Sequence, residues 1–119
     1  MDTVKLKIEL HQKVLKSYIQ SLAKENNEAL GNTSTYQAIT DLEGNHFQLV
    51  VMGWHKHKFL YNVLIHLNIN FKTGNIWVQQ NNTEILIDED LEKFGIPKSH
   101  FVLGFRPAIM REHSKYAVA

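Results

Sequence analysis

Between His46 and Gln80 the chain alternates apolar and polar residues through three runs separated by turn residues. In the first run Phe47, Leu49, Val51 and Gly53 fall on one face, and His46, Gln48, Val50, Met52 and Trp54 on the other. His55-Lys56-His57-Lys58 reads as a polar turn. In the next run Phe59, Tyr61, Val63, Ile65, Leu67 and Ile69 alternate with Leu60, Asn62, Leu64, His66, Asn68 and Asn70. Lys72-Thr73-Gly74-Asn75 then turns the chain into Ile76-Trp77-Val78-Gln79-Gln80. A further strand is predicted at Thr35 to Asp41, joined to the block by a hairpin at Glu43-Gly44-Asn45, where Gly44 is expected to supply the positive φ. Together these runs predict a four-stranded antiparallel meander. The odd face of the long central strand is wholly apolar and needs a cover; its even face is mixed.

The cover is predicted upstream. Val4, Ile8, His11, Leu15, Tyr18 and Leu22 recur at steps of three and four, one stripe of a helix over residues 1–27. Asp2 or Thr3 can cap its start. Val4, Leu6, Ile8 and Leu10 also alternate like a strand, but the helical stripe runs much further. Asn26 to Ser34 reads as a polar connection turning at Gly31-Asn32. Downstream, Asn82-Thr83 can cap a short helix from Glu84 to Phe94, with Ile87, Leu91 and Phe94 as its stripe. Gly95 and Pro97 end it. Phe101, Val102, Leu103 and Phe105 form an extended apolar segment, bent at Gly104, before a C-terminal extended or helical stretch. The expected class is α+β, as one domain over residues 1–119.

Composition narrows the function. At 119 residues the chain can bury a core without metal or disulfide staples. Thirteen basic residues against twelve acidic ones give a net charge of +1, so no global field favours nucleic acid or a membrane surface. The cysteine count is zero, which excludes a disulfide framework, a thiolate zinc site and a thiol nucleophile, and fits a reducing cytoplasm. No apolar run approaches the ~20 residues of a membrane span. No secretory leader is visible in MDTVKLKIEL.

The residues that carry chemistry stay below a motif. His55 and His57 can point the same way on a strand, with His46 and His66 on neighbouring strands, but no third metal ligand is fixed by spacing. The two adjacent lysines disfavour a cation. His66 lacks a nucleophile beside it, and a structural or subunit-contact histidine is the simpler reading. Asp88, Glu89, Asp90 and Glu92 are the one acidic run; in the early turns of a short helix they favour its dipole. They lack the spacing of a calcium loop. There is no glycine-rich phosphate cradle. The expectation is therefore no catalytic residue, no metal and no cofactor. Lys56 and Lys58 beside Trp54 leave direct nucleic-acid contact as an alternative. The apolar end Tyr116-Ala117-Val118-Ala119 is unlike a solvated tail and is expected to dock, on its own domain or on a partner, with Arg106 and Arg111 placed to receive a carboxylate.

Several blocks together resemble the XisI family. They are Met52-Gly53-Trp54, Ile65-His66-Leu67-Asn68-Ile69, Gly74-Asn75-Ile76-Trp77-Val78-Gln79 and Gly95-Ile96-Pro97-Lys98. Phe101-Val102-Leu103-Gly104-Phe105 with Pro107 and Arg111, and the terminal Tyr116-Ala117-Val118-Ala119, continue the match. Asn68 departs from it, standing where an acidic residue is usual. The resemblance implies a small cytoplasmic accessory protein, the fdxN element excision controlling factor of filamentous cyanobacteria. It implies help to a separate site-specific recombinase in DNA rearrangement, together with a nuclease-like XisH partner. No catalytic residue is implied. The expected function is thus a non-enzymatic regulator working through a protein partner. Direct DNA binding is the first alternative, and a small metal- or histidine-dependent enzyme around His55, His57 and His66 the remote one. A homodimer is also expected, because Trp54, Leu60 and Leu64 are too apolar for open water. The partner surface is expected at Trp54, Leu60, Leu64, His66, Arg106, Arg111, Tyr116, Val118 and Ala119.

Overall fold

The computed structural model describes residues 2–30 and 35–119. The turn expected at Gly31-Asn32 lies outside them. Helix α1 spans Thr3–Leu30 and is followed by strands β1 (Thr35–Asp41), β2 (His46–His55), β3 (Lys58–Ile69) and β4 (Ile76–Asn81). Then come a short helix α2 (Ile87–Glu92), a 3-10 turn at Lys98–His100, strand β5 (Phe101–Leu103) and a one-turn helix α3 (Ala108–Arg111). The sheet has five strands in the order β1-β2-β3-β4-β5. The α+β class holds, but the four-stranded count does not. The apolar segment Phe101–Leu103 joins the sheet parallel to β4, with Ile76 beside Phe101 and Val78 beside Leu103. The stretch through α2 is the crossover that a parallel neighbour requires.

Asp2 caps α1, its Oδ1 accepting the Val4 amide at 3.0 Å. The helix runs past the predicted end at residue 27. Asn27, on the last turns, uses its side-chain amide as a strand would: Oδ1 accepts the Tyr36 N–H at 2.7 Å and Nδ2 donates to the Tyr36 carbonyl at 2.9 Å. The predicted stripe is buried at His11, Leu15, Tyr18 and Leu22, and Ile19 and Ala23 widen it. These side chains cover Phe47, Leu49, Ile65, Leu67, Ile69, Ile76 and Val78, which with Phe101, Ile87, Leu91 and Ile96 complete the core. Full burial of each such side chain stabilises by roughly 1.5–3 kcal/mol.

The turns are set by side chains. At the first hairpin the positive φ falls on Asn45, at 60°, and not on Gly44 as expected. Asp41 Oδ1 accepts the amides of Glu43 and Gly44, and a Cβ on Gly44 would stand 2.5 Å from Asp41 Oδ2. A side chain at Gly44 would therefore displace the Asp41 carboxylate that holds the turn. Helix α2 is shorter than expected because Asn81 and Thr83 hold the preceding loop. Asn81 Oδ1 accepts the Thr83 amide, Thr83 Oγ1 accepts the Ile85 amide, and Asn81 Nδ2 donates to the Ile85 carbonyl. The helix ends at Glu92 and not at Phe94, whose side chain is exposed and outside the buried stripe, but the stop at Gly95 is as predicted. Gly95 adopts φ 87°, and the Ile96 and Gly95 amides reach back to the carbonyls of Leu91 and Glu92.

The central strand departs from its pattern at one residue. Pairing of β1 with β2 is continuous, so Ala38 and Tyr36 share the helix-facing side with Leu49 and Val51. Between β2 and β3, Leu49 opposes Ile65 but Val50 opposes Val63, and Leu64 is the extra residue. Alternation on β3 changes face there. Ile65, Leu67 and Ile69 point to α1 and are buried. Val63, Tyr61 and Phe59 point the other way, with Val50, Met52 and Trp54. The expectation of one continuous apolar core face from Phe59 to Ile69 is thereby corrected: Phe59 is 54% exposed and Tyr61 65%.

Candidate partner-binding site

Two regions collect the residues singled out above: the outer half of the β2–β3 hairpin, and the C-terminal segment against β4 and β5.

The hairpin closes with His55 opposite Lys58 and a two-residue loop, Lys56-His57, in which Lys56 takes φ 56°. β1 pairs with β2 as far as Met52 and β4 pairs with β3 from Ile65, so among the described residues no strand flanks the outer hairpin. On this arm Trp54 and Phe59 are cross-strand neighbours with ring centroids 5.3 Å apart, and Tyr61 follows on the same side. Trp54 is 58% exposed. Lys56 and Lys58 stand exposed at the tip. The predicted surface residues are thus divided. Trp54 shares the face away from α1 with His66, whereas Leu60, opposite Gly53, lies on the other face. Leu64 is half-buried at the bulge and packs against the core. Phe59 and Tyr61, read from sequence as core, belong to the exposed set. Nothing in the alternation marks them, because apolar residues continue at odd positions on both sides of Leu64.

Behind the arm, His66 is half-buried. Its Nε2 lies 3.0 Å from His46 Nδ1, and Gln48 Nε2 is 3.4 Å from its Nδ1. Burial lowers its pKa, and His46 adds to that. A second pair links the helix to the sheet end. His11 Nδ1 donates to the Gly74 carbonyl at 2.8 Å, and its Nε2 lies 3.3 Å from His100 Nδ1. Beside it Lys7 Nζ donates to Asn75 Oδ1 at 2.6 Å. Burial pushes the His11 pKa down to about 4, with His100 and Lys7 adding and the Gly74 carbonyl opposing. His55 and His57 stand exposed at the hairpin tip, apart from both pairs. Among the described residues no three histidine or acidic side chains converge as a metal-binding group.

The tail docks on its own chain. Ala117 bridges Val102 in parallel, its amide donating to the Phe101 carbonyl at 2.7 Å. Asn75 Nδ2 donates to the Ala119 carbonyl oxygen at 2.6 Å. Arg111 stacks over the Trp77 ring at 5.1 Å, and its Nε and Nη1 donate to the carbonyls of Val118 and Arg106. Arg106 itself lies over Phe105 at 5.5 Å. Tyr116 donates to Asp88 Oδ2 at 3.0 Å, and Tyr18 to Asp90 Oδ2 at 2.6 Å. Two members of the acidic run therefore tie α2 to the tail and to α1. Arg111 and Tyr116 are engaged within the fold. Val118, 44% exposed, and Arg106 keep accessible surface.

Among the described residues no helix is long and apolar enough to cross a membrane. The crystal structure of a XisI-like protein from Anabaena variabilis ATCC 29413 superposes on this chain with a TM-score of 0.82 at 31% identity, covering 94% of this chain and 99% of that one. The crystal structure of the fdxN element excision controlling factor XisI from the same organism superposes with a TM-score of 0.76 at 23% identity, covering 95% and 99%. At that lower identity the likeness speaks for the fold. No curated protein matches the chain. The XisI protein family matches residues 1–118, through the helix, the sheet and all but the last residue of the docked tail, and the chain belongs to the XisI family.

Proposed function

We propose that this chain is a non-enzymatic regulatory protein of the cytoplasm that supports excision of a DNA element through a protein partner. The observation that carries the reading is the exposed Trp54–Phe59–Tyr61 face on the outer arm of the β2–β3 hairpin. Contiguous exposed aromatics on an otherwise folded domain are what protein interfaces use. The family relative named as the fdxN element excision controlling factor supplies the process. A nuclease-like XisH-type protein, and through it a recombinase, is the partner this reading names. A second copy of the chain, giving a homodimer, completes the assembly. The two histidine pairs hold structure in this reading and do no chemistry.

Co-expression with an XisH-type protein and affinity capture tests it. Capture is expected from the native chain and is expected to fall at least ten-fold for Trp54→Ser with Tyr61→Ser. Loss of capture on removing residues 116–119 alone would move the partner surface to the tail. No specific capture by the native chain would sink the reading.

Direct DNA binding is the second reading. It is favoured by Lys56 and Lys58 flanking the arm's tip beside the exposed Trp54 ring. A salt titration of DNA affinity decides it: binding that weakens steeply with salt supports it, and no binding at low salt ends it.

A further inference from the structure

The outer half of β3 is an open sheet edge. β4 reaches β3 only at Ile65, so residues 58–62 have β2 on one side and no described strand on the other. Which groups face the open side follows from the hairpin. In a two-residue hairpin the closing pair, His55 and Lys58, is hydrogen-bonded, and bonded and non-bonded pairs alternate from there. Gly53 with Leu60 is then bonded. Trp54 with Phe59, and Met52 with Tyr61, are not. The backbone amides and carbonyls of Phe59 and Tyr61 therefore point outward. Val63 is next in that alternation, and its carbonyl does face the β4 side, where it accepts Gln80 Nε2.

We infer that this edge pairs antiparallel with the same edge of a second copy, about a two-fold axis at Leu60. This rests on the homodimer reading above and names its surface. The occupant follows from self-complementarity. With the axis at Leu60, Phe59 of one copy bonds Tyr61 of the other, and Tyr61 bonds Phe59. The outward amides and carbonyls of Phe59 and Tyr61 in both copies are all used. Aromatic faces aromatic, which is a favourable cross-strand pair. Lys58 stands opposite Asn62, so no like charges meet. An axis one residue further along would need the Val63 carbonyl, already taken by Gln80. The Trp54–Phe59–Tyr61 faces of the two copies become one continuous apolar surface. Long apolar edges left open otherwise invite uncontrolled pairing, and a closed two-fold pairing removes that hazard.

The chain has no cysteine, which makes the register testable. Leu60 is opposite itself in a non-bonded pair, where Cα atoms lie ~4.5 Å apart, within the ~4.4–6.8 Å that a disulfide spans. Leu60→Cys is expected to form a covalent dimer under mild oxidation at least ten-fold faster than Asn62→Cys, whose mate across the axis is Lys58. Tyr61→Pro removes an outward amide without touching the β2 ladder. It is expected to weaken dimerisation at least ten-fold by sedimentation while the circular dichroism stays unchanged. A native dimer that ignores Tyr61→Pro and shows no preference for cysteine at 60 overturns the edge and leaves the homodimer standing on another face. A native monomer at micromolar concentration overturns both.

Discussion

His11 and His100 meet ring to ring between α1 and the turn before β5, Nε2 to Nδ1 at 3.3 Å. The Gly74 carbonyl can only accept, so His11 carries its proton on Nδ1 and offers a lone pair from Nε2. His100 Nδ1 must then donate. Adding a proton to His11 would set two N–H groups against each other in a buried site already facing Lys7.

Acid is therefore expected to loosen the seam between α1 and the sheet. The His11 pKa is held at about 4 in the fold against 6.5 when unfolded. The unfolded chain binds the extra proton between those values, so stability is fully present above pH 6.5 and falls as pH drops toward 4. The full excursion is worth about 3 kcal/mol. Chemical denaturation at about pH 7 and about pH 5 reads it, and His11→Gln should flatten the difference. An equal acid loss in that variant would place the titration elsewhere.

Deleting Leu64 should be tolerated although it lies in the middle of the longest strand. The deletion leaves Ile65 opposite Leu49 and Val63 opposite Val50, the pairs already present, and removes only the extra residue. The cost is the packing of one half-buried leucine and the bond from the Asn82 amide to its carbonyl, about 1–3 kcal/mol. Deleting Leu67 instead should abolish folding, because it removes a fully buried side chain and turns Ile69, the one core residue after it on β3, to the other face. Thermal melts of the two variants make the comparison. Equal damage from both would contradict the register.

Arg111→Ala should detach the tail. It removes the stack on Trp77 and both carbonyl contacts, at a cost of about 1–2 kcal/mol. Arg111→Lys should recover less than half, since an ammonium cannot stack and fork together. Hydrogen exchange at the Ala117 amide is the direct readout, and unchanged protection in Arg111→Ala would refute the role.

Periodicity carried α1 and the meander because their apolar positions match one period over many residues. His11, Leu15, Tyr18 and Leu22 are buried as the stripe requires. It failed at Leu64, where a bulge reverses the faces but the residues on both sides stay apolar at odd numbers. It also failed to place Phe101–Leu103 beside β4, since parallel pairing depends on a crossover and leaves no mark on a three-residue strand. The surface residues fared unevenly. Trp54 was legible as an exposed aromatic, while Phe59 and Tyr61 were hidden by the bulge. Docking of the tail was legible, but Arg111, expected to receive a carboxylate, holds two backbone carbonyls and the Trp77 ring. The intramolecular partners of Arg111 and Tyr116, Trp77 and Asp88, are 34 and 28 residues distant in the chain and no spacing rule connects them.

The bridge from Ala117 to Val102 gives the last residues a protective role as well as a packing one. The tail's backbone covers the outer side of β5, a strand that carries the buried Phe101 and Val102. A protease that clipped the chain after Ser114 would leave a folded domain with a bare, apolar outer strand. Such clipped protein is expected to turn cloudy on standing, where the intact chain stays clear.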